Sequence, residues 1–141
     1  MNNNEKWSKN INYLRIAYGW YILDSYLSLR EFAKILKVSE STLTYQWQKK
    51  GRLPSFPQLE RLAYLFSEIF HTKITTTNLI TDDIRDIIKM TPVPSEILAL
   101  DKRIQTKLNE VRAMLFDRAK DLTYEDLLKV EEIINKVTKK E

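Results

Sequence analysis

SLREFAKILKVSESTLTYQWQKKGRLP, residues 28–54, contains the most informative structural pattern in this chain. Ser28 is followed three residues later by Glu31, a capping-box pattern that begins a helix. Ser39 is a second residue of the type that caps a helix N-terminus. Between the two caps, Ala33 supplies the small side chain that two helices crossing at a steep angle need where they touch. The stretch therefore predicts two short helices joined by a tight turn.

The apolar residues of this stretch repeat at helical spacing and define its inward side. They are Phe32, Ala33, Leu36 and Val38 in the first helix and the turn, and Leu43 and Trp47 in the second helix. The polar residues of the second helix then face outward, where a helix lying in a major groove can reach the edges of bases. The residues predicted to contact bases are Glu40, Ser41, Thr44, Tyr45 and Gln48.

Positive charge is concentrated in the same part of the chain. The net charge is +4, and residues 1–54 hold nine bases against four acids, whereas residues 91–141 hold ten of each. A charged face is usually only solvated surface, but a basic patch beside such a helix also supplies the phosphate contacts that DNA binding requires. The residues predicted to contact the DNA backbone are Ser39, Lys49, Lys50 and Arg52.

These residues resemble the helix-turn-helix of Cro/Xre-type phage repressors and related bacterial regulators. Counting Leu29 as the first position of the motif, Ala33 corresponds to its small fifth residue. Leu36 and Val38 correspond to its core positions, and Leu43 corresponds to the buried aliphatic residue of the recognition helix. The resemblance implies that the second helix reads DNA, with Ser41, Thr44 and Tyr45 as the best candidates for base contacts.

The resemblance continues downstream and covers residues 9–88. GRLPSFPQLERLAYLF, residues 51–66, resembles the loop and fourth helix of the family, and ITTTNLI, residues 74–80, resembles its fifth helix. Lys37 stands where the turn of the family usually has glycine, so we expect Lys37 to adopt a left-handed conformation. Trp47 comes one residue later than the usual tryptophan, which implies a different end to the recognition helix.

A second family shares part of the pattern. MerR-type regulators have a similar run, which this chain matches at Thr42, Leu43, Tyr45, Gly51, Leu53 and Pro54. The Tyr-Arg wing that follows in that family is missing from this sequence, so we rank the MerR type second.

Further helices are predicted before the motif and after it. Apolar residues at helical spacing predict a helix over residues 8–18 that stops at Gly19. Residues 20–27 either extend that helix or pack as an insert, and both possibilities stay open. After the motif, Pro57 suits the first turn of a helix. The inward stripe of that helix is Leu59, Leu62, Ala63, Phe66 and Phe70.

Two shorter helices and a linker are predicted next. Residues 75–78 form a polar break that can cap a short helix beginning near Asn78, and residues 82–90 predict one more helix. The run TPVPS, residues 91–95, predicts a linker.

The last third of the chain has its own apolar pattern. A heptad-like seam consists of Ile97, Ile104, Leu108, Val111 and Leu115. A second apolar stripe in residues 123–137 completes a helical hairpin, which cannot bury both stripes by itself. The hairpin either docks on the N-terminal domain or pairs with a second copy. Because operator-binding proteins are usually two-fold symmetric, we expect the seam to form a homodimer.

The composition favours helices and argues against several classes of function. Glycine is scarce, with two residues, and cysteine is absent, which excludes disulfides and thiolate metal sites. Neither a signal peptide nor a membrane span is evident, so we expect a cytoplasmic protein. The single histidine, His71, has no partner that would make it catalytic, and aspartates at a helix start are ordinary. We therefore expect no enzymatic activity, metal or cofactor.

The sequence thus predicts an all-α protein with three parts. These are a helix-turn-helix bundle of about five helices over residues 1–90, a linker over residues 91–95 and a dimerisation hairpin over residues 96–141. The expected function is that of a bacterial or phage transcriptional regulator, a repressor whose partners are double-stranded operator DNA and a second copy, with neither a membrane nor a small-molecule substrate.

A competing hypothesis uses the same fold to bind a protein, as an antirepressor or antitoxin does. Glu40 supports this alternative because a carboxylate is repelled by phosphates. Glu40 is also compatible with DNA binding, since it can accept a hydrogen bond from a cytosine amino group.

Overall fold

A computed structural model describes residues 2–88 and 90–118, together with residues 129, 132, 133 and 136. All secondary-structure elements of these residues are helices and none is a strand, which confirms the predicted all-α class. Most of the predicted second stripe, in residues 123–137, lies outside the described residues. The helical elements are α1 (Asn3–Ala17), π1 (Tyr18–Leu23), α2 (Leu29–Leu36), π2 (Thr42–Lys49), α3 (Phe56–Phe70), α4 (Thr76–Thr81), α5 (Ile84–Ile87) and α6 (Ser95–Arg118), in which π1 and π2 are π-helical.

The first helical segment, α1 together with π1, is longer than predicted at both ends. It begins at Asn3 rather than near Ser8, because the side chain of Asn2 caps it by accepting the backbone N–H of Glu5 at 2.8 Å. The predicted stop at Gly19 is wrong, since the chain continues as π1 and turns only at Asp24, which is left-handed with φ 53°.

Gly19 is needed for close packing rather than for ending a helix. A Cβ atom at this position would lie 2.6 Å from the carbonyl oxygen of Ser25. Beyond Ser25 the chain turns back on the bundle, and Leu27 is buried in the core. Residues 20–27 therefore combine the two possibilities that the sequence left open, because their first half extends the helix and their second half packs against the domain.

The helix-turn-helix forms where the sequence predicts it. The Ser28 hydroxyl accepts the backbone N–H of Glu31 at 3.1 Å and starts α2, and the Ser39 hydroxyl accepts the N–H of Thr42 at 3.0 Å. Lys37 adopts the expected left-handed conformation, with φ 58° and ψ 43°. On α3, the guanidinium of Arg61 donates to the carbonyl of Leu36 at 2.9 Å and so holds the end of α2.

The second helix of the motif is π-helical over Thr42–Lys49. In π2 the wider turn is visible at its end, where the N–H of Lys50 bonds to the carbonyl of Tyr45, five residues earlier, at 2.9 Å. Leu43 and Trp47 are both buried, as predicted. The Trp47 ring meets Trp7 of α1 edge to face, with 5.4 Å between the ring centroids.

The helix after the motif has the predicted inward stripe. Ser55 caps α3, Pro57 lies in its first turn, and the five predicted stripe residues are buried. The Phe66 ring packs between Phe32 of α2 and Phe70, at centroid distances of 6.2 and 6.4 Å. The helix-turn-helix thus shares one core with the helix that follows it.

The two short helices differ from their predicted bounds. The side chains and backbones of Thr75 and Asn78 form a reciprocal capping box, so α4 begins at Thr76 rather than near Asn78. The predicted helix over residues 82–90 is reduced to α5. Ile88 leaves the helical conformation, with ψ 121°, and is buried in the core.

The first half of α6 packs on the bundle. In the predicted linker, Val93 is buried and its N–H bonds to the Tyr13 hydroxyl at 3.1 Å. Ile97 and Leu98, at the start of α6, pack against the core. The segment between the two predicted domains is therefore itself part of the packed interior.

The left-handed turn yields a prediction about stability. Lys37→Gly should raise the free energy of unfolding by about 0.5–1 kcal/mol, because the left-handed conformation costs a residue with a Cβ about 1–2 kcal/mol and glycine's larger unfolded-state entropy offsets part of that gain. Denaturant unfolding measures the change. Lys37→Ala is the control, since it removes the same charge and keeps the Cβ. An equal gain for both variants would contradict a backbone origin.

Candidate nucleic-acid interface

The exposed face of the helix-turn-helix contains most of the residues predicted to bind DNA. The side chains on this face come from the start of the second helix, from the middle of π2 and from the basic residues that follow it. They are Ser39, Glu40, Ser41, Tyr45, Lys49, Lys50 and Arg52. On the opposite side of π2, Leu43 and Trp47 are buried and hold the segment against the bundle.

Two of the basic residues, Lys49 and Lys50, lie beside one aromatic ring. The ammonium groups of Lys49 and Lys50 lie 5.8 and 5.4 Å from the centroid of the Tyr45 ring. Cation–π contacts at such exposed positions contribute about 0.5–1 kcal/mol, which favours this arrangement without immobilising it. No ion pair joins Lys49, Lys50 or Arg52 to a carboxylate within the described part of the chain. We call Tyr45, Lys49, Lys50 and Arg52 the basic cluster.

Gly51 forms the turn that follows the end of π2. Gly51 has φ +66°, and a Cβ atom there would lie 3.1 Å from the carbonyl oxygen of Asn4. The N–H of Arg52 bonds to the carbonyl of Gln46 at 2.8 Å, which ties the turn to π2. The first turn of α1 therefore lies directly beside the basic cluster.

Thr44 and Gln48 do not share the exposed face with the other predicted base contacts. The Thr44 hydroxyl is buried without a hydrogen-bond partner among the described residues. The side-chain amide of Gln48 donates to Oδ1 of Asn12 at 3.2 Å, and the backbone carbonyl of Gln48 accepts a hydrogen bond from the Ser8 hydroxyl at 2.7 Å. In this conformation both side chains are directed towards the bundle. That they contact bases stays a prediction, one that requires each of them to turn outward.

Ser8 and Asn12 are the site residues that sequence reasoning missed. They lie 40 and 36 residues before Gln48, and their polar side chains on α1 resemble ordinary surface positions in the sequence. A weak signal is the position of each residue next to a buried one, since Ser8 follows Trp7 and Asn12 follows Ile11.

The residues predicted to pair two copies are only partly accessible. Ile97 and Ile104 are half-buried and Leu108 is buried, whereas Val111 is 37% exposed. The side chain of Leu115 lies outside the described residues. Pairing through this seam stays a prediction, and Val111 is the described member best exposed to a second copy.

The candidates for other chemistry have structural roles. His71 ends α3 in a left-handed conformation with φ 50°. Asp83 caps α5 and pairs with Arg85, whose hydrogen bonds lower the pKa of the Asp83 carboxyl. Within the described residues, no cluster of three acidic or histidine side chains is suited to a metal ion. The described helices also include none with the length and apolar character that crossing a bilayer requires.

Comparisons with known proteins do not add to this description. No protein-family model, curated protein or solved structure matches the chain. The exposed face of the helix-turn-helix is therefore the observation from which a function can be inferred.

The buried hydroxyl of Thr44 gives a second prediction. Thr44→Val should raise the free energy of unfolding by about 1 kcal/mol, because it replaces an unpaired buried hydroxyl by a methyl group of the same shape. Denaturant unfolding measures this change, and Thr44→Ser, which keeps the hydroxyl, should show no gain. A loss of stability in the valine variant would mean that the hydroxyl has a partner in solution.

Proposed function

We propose that the protein is a sequence-specific double-stranded DNA-binding regulator, a repressor of phage or bacterial genes. The observation that carries this proposal is the basic cluster at the end of the second helix of the motif, which has no carboxylate partner among the described residues and lies on the face that also carries Glu40 and Ser41. Phosphate binding needs accessible cations, and base reading needs polar side chains next to them. The exposed face has both.

In the proposed complex, π2 lies in the major groove. Ser41 and Tyr45 are directed at base edges, and Glu40 accepts a hydrogen bond from a cytosine amino group. Lys49, Lys50 and Arg52 contact phosphates beyond the end of π2, while the Ser39 hydroxyl is close to the backbone at the other end. Because the ammonium groups of two lysines lie beside the Tyr45 ring, base reading and phosphate binding are adjacent on this surface.

A protein-interaction module remains the second candidate, and exposed apolar residues favour it. Leu53 and Phe56 follow the basic cluster in the sequence and are 39% and 63% exposed, and Tyr64 on α3 is 70% exposed. Large apolar side chains that are exposed to solvent can take part in binding a protein. Glu40 also favours the protein-interaction module, because its carboxylate repels phosphate.

Gel-shift assays against genomic fragments, including the DNA flanking the protein's own gene, separate the two functions. The DNA-binding proposal expects retention of particular fragments in the presence of excess nonspecific DNA. Retention of none of the fragments, together with capture of a protein through Phe56 and Tyr64, would favour the interaction module.

The salt dependence of DNA binding tests the basic cluster. Replacing Lys49, Lys50 and Arg52 by alanine should reduce the log–log slope of affinity against salt by up to about 2.7, at roughly 0.9 for each phosphate contact. The control replaces Lys102, Arg103 and Lys107, three exposed cations of α6, and therefore changes the net charge equally. If both triple variants lower the slope by the same amount, the cluster is not the phosphate contact.

Assembly is tested by substitutions on α6. If the seam pairs two copies, Val111→Asp should yield a folded monomer, because it introduces a charge into the interface without disturbing the buried Leu108. Sedimentation velocity measures the state of assembly. Leu100→Asp is the control, since Leu100 is similarly exposed, at 42%, but lies outside the predicted seam. A wild-type protein that is monomeric at micromolar concentration would contradict the dimer.

A further inference from the structure

Arg15 of α1 is a buried charge that joins three parts of the chain. Its side chain is 1% exposed, and two guanidinium nitrogens donate to the carboxylate of Asp101 on α6, at 2.9 and 2.5 Å. The same guanidinium donates to the carbonyl of Leu27 at 2.6 Å and lies 5.7 Å from the ring centroid of Tyr26. Three parts of the chain therefore meet at one ion pair. They are α1, residues 24–28 after π1, and α6.

The hydrogen bonds of Arg15 continue to the proposed DNA-reading segment. Oδ1 of Asn12 accepts from Nη2 of Arg15 at 3.2 Å and from the amide of Gln48 at 3.2 Å. One amide oxygen thus joins the buried guanidinium to π2. We call Asp101, Arg15, Asn12 and Gln48 the polar relay.

We propose that Asp101, Arg15 and Asn12 are positioning residues for π2, so that the docking of α6 decides how this segment presents its exposed face. The significance for base reading rests on the proposed function, whereas the coupling of α6 to π2 does not. Gln48 follows Trp47 directly, so the orientation of its side chain is tied to the way π2 packs on α1.

The physical basis of the coupling is the need to neutralise a buried guanidinium. Without the Asp101 carboxylate, Arg15 keeps only neutral acceptors, the Leu27 carbonyl and the Asn12 amide. A buried charge without its partner is strongly unfavourable, so the guanidinium shifts or draws in water. Either response disturbs the Asn12 oxygen that holds Gln48. The 2.7 Å hydrogen bond from the Ser8 hydroxyl to the backbone carbonyl of Gln48 does not involve Asp101 or Arg15. We therefore expect π2 to be displaced rather than unfolded when Asp101 is replaced.

Amide hydrogen exchange in π2 tests the relay without any DNA. In Asp101→Ala, the amides of residues 42–49 should exchange at least about fivefold faster than in the wild type, the lower end of couplings between separate sites. The matched control is Gln105→Ala, which removes another contact between α6 and the bundle, the 2.6 Å hydrogen bond to the Tyr26 hydroxyl. That variant should leave exchange in π2 unchanged.

The Trp7–Trp47 pair provides a spectroscopic readout of the same change. In a Trp20→Phe background, the near-ultraviolet circular dichroism of tryptophan comes from this pair alone, since the chain has three tryptophans. Asp101→Ala should change this signal while the far-ultraviolet spectrum stays helical. If Asp101→Ala fails to fold, Asp101→Asn, which keeps an oxygen acceptor for Arg15, should produce a smaller change in the same direction.

A double variant shows whether the effect passes through Asn12. The additional effect of Asp101→Ala on π2 exchange should vanish in an Asn12→Ala background, because coupled residues of one network are non-additive. Full additivity, or unchanged π2 exchange in a folded Asp101 variant, would overturn the relay. So would an equal change in Gln105→Ala, which would indicate general loosening of α6.

A DNA-binding measurement separates this inference from the proposed function. On a retained fragment, Asp101→Ala should lower the ratio of specific to nonspecific affinity at least about fivefold, whereas Gln105→Ala should not. A wild-type protein that binds no DNA would refute the proposed function, while the exchange and spectroscopic results would still decide the relay.

Discussion

The guanidinium of an arginine keeps its charge in any protein environment, so burying Arg15 obliges other parts of the chain to surround it with acceptors. The Asp101 carboxylate comes from α6, 86 residues away, and the Leu27 carbonyl comes from the segment after π1. These contacts explain why the chain turns back after Asp24 and why α6 lies against α1. The packed residues between the motif and α6, such as Val93, belong to the same arrangement.

The proposed interface depends on α1 as much as on the helix-turn-helix itself. Trp47 packs on Trp7, the carbonyl of Gln48 accepts the Ser8 hydroxyl, and Gly51 passes close to the backbone of Asn4. Each of these contacts holds the inner side or the end of π2, and none uses its outer face. The exposed side chains can therefore be replaced without removing the contacts that hold the segment in place.

Local signals in the sequence predicted local structure well. The caps at Ser28 and Ser39 and the left-handed Lys37 were predicted because each depends on neighbours within a few residues. The continuation of the first helix past Gly19, the short α5 and the inward orientation of Thr44 and Gln48 were not predicted. They depend on contacts between distant residues, such as the bond from Gln48 to Asn12, or on the π-helical turn, and helical periodicity does not report either.

The π-helical geometry of the second helix also affects how this chain can be compared with others. One extra residue in an α-helix rotates every later side chain by about 100°, since a turn holds 3.6 residues. A π-turn absorbs that residue locally, and Trp47 still reaches the core. Positions of π2 therefore correspond to those of an α-helical recognition helix only if a gap is introduced. Without a gap, Thr44 and Gln48 are assigned outward positions alongside Glu40, Ser41 and Tyr45, although their side chains here face the bundle.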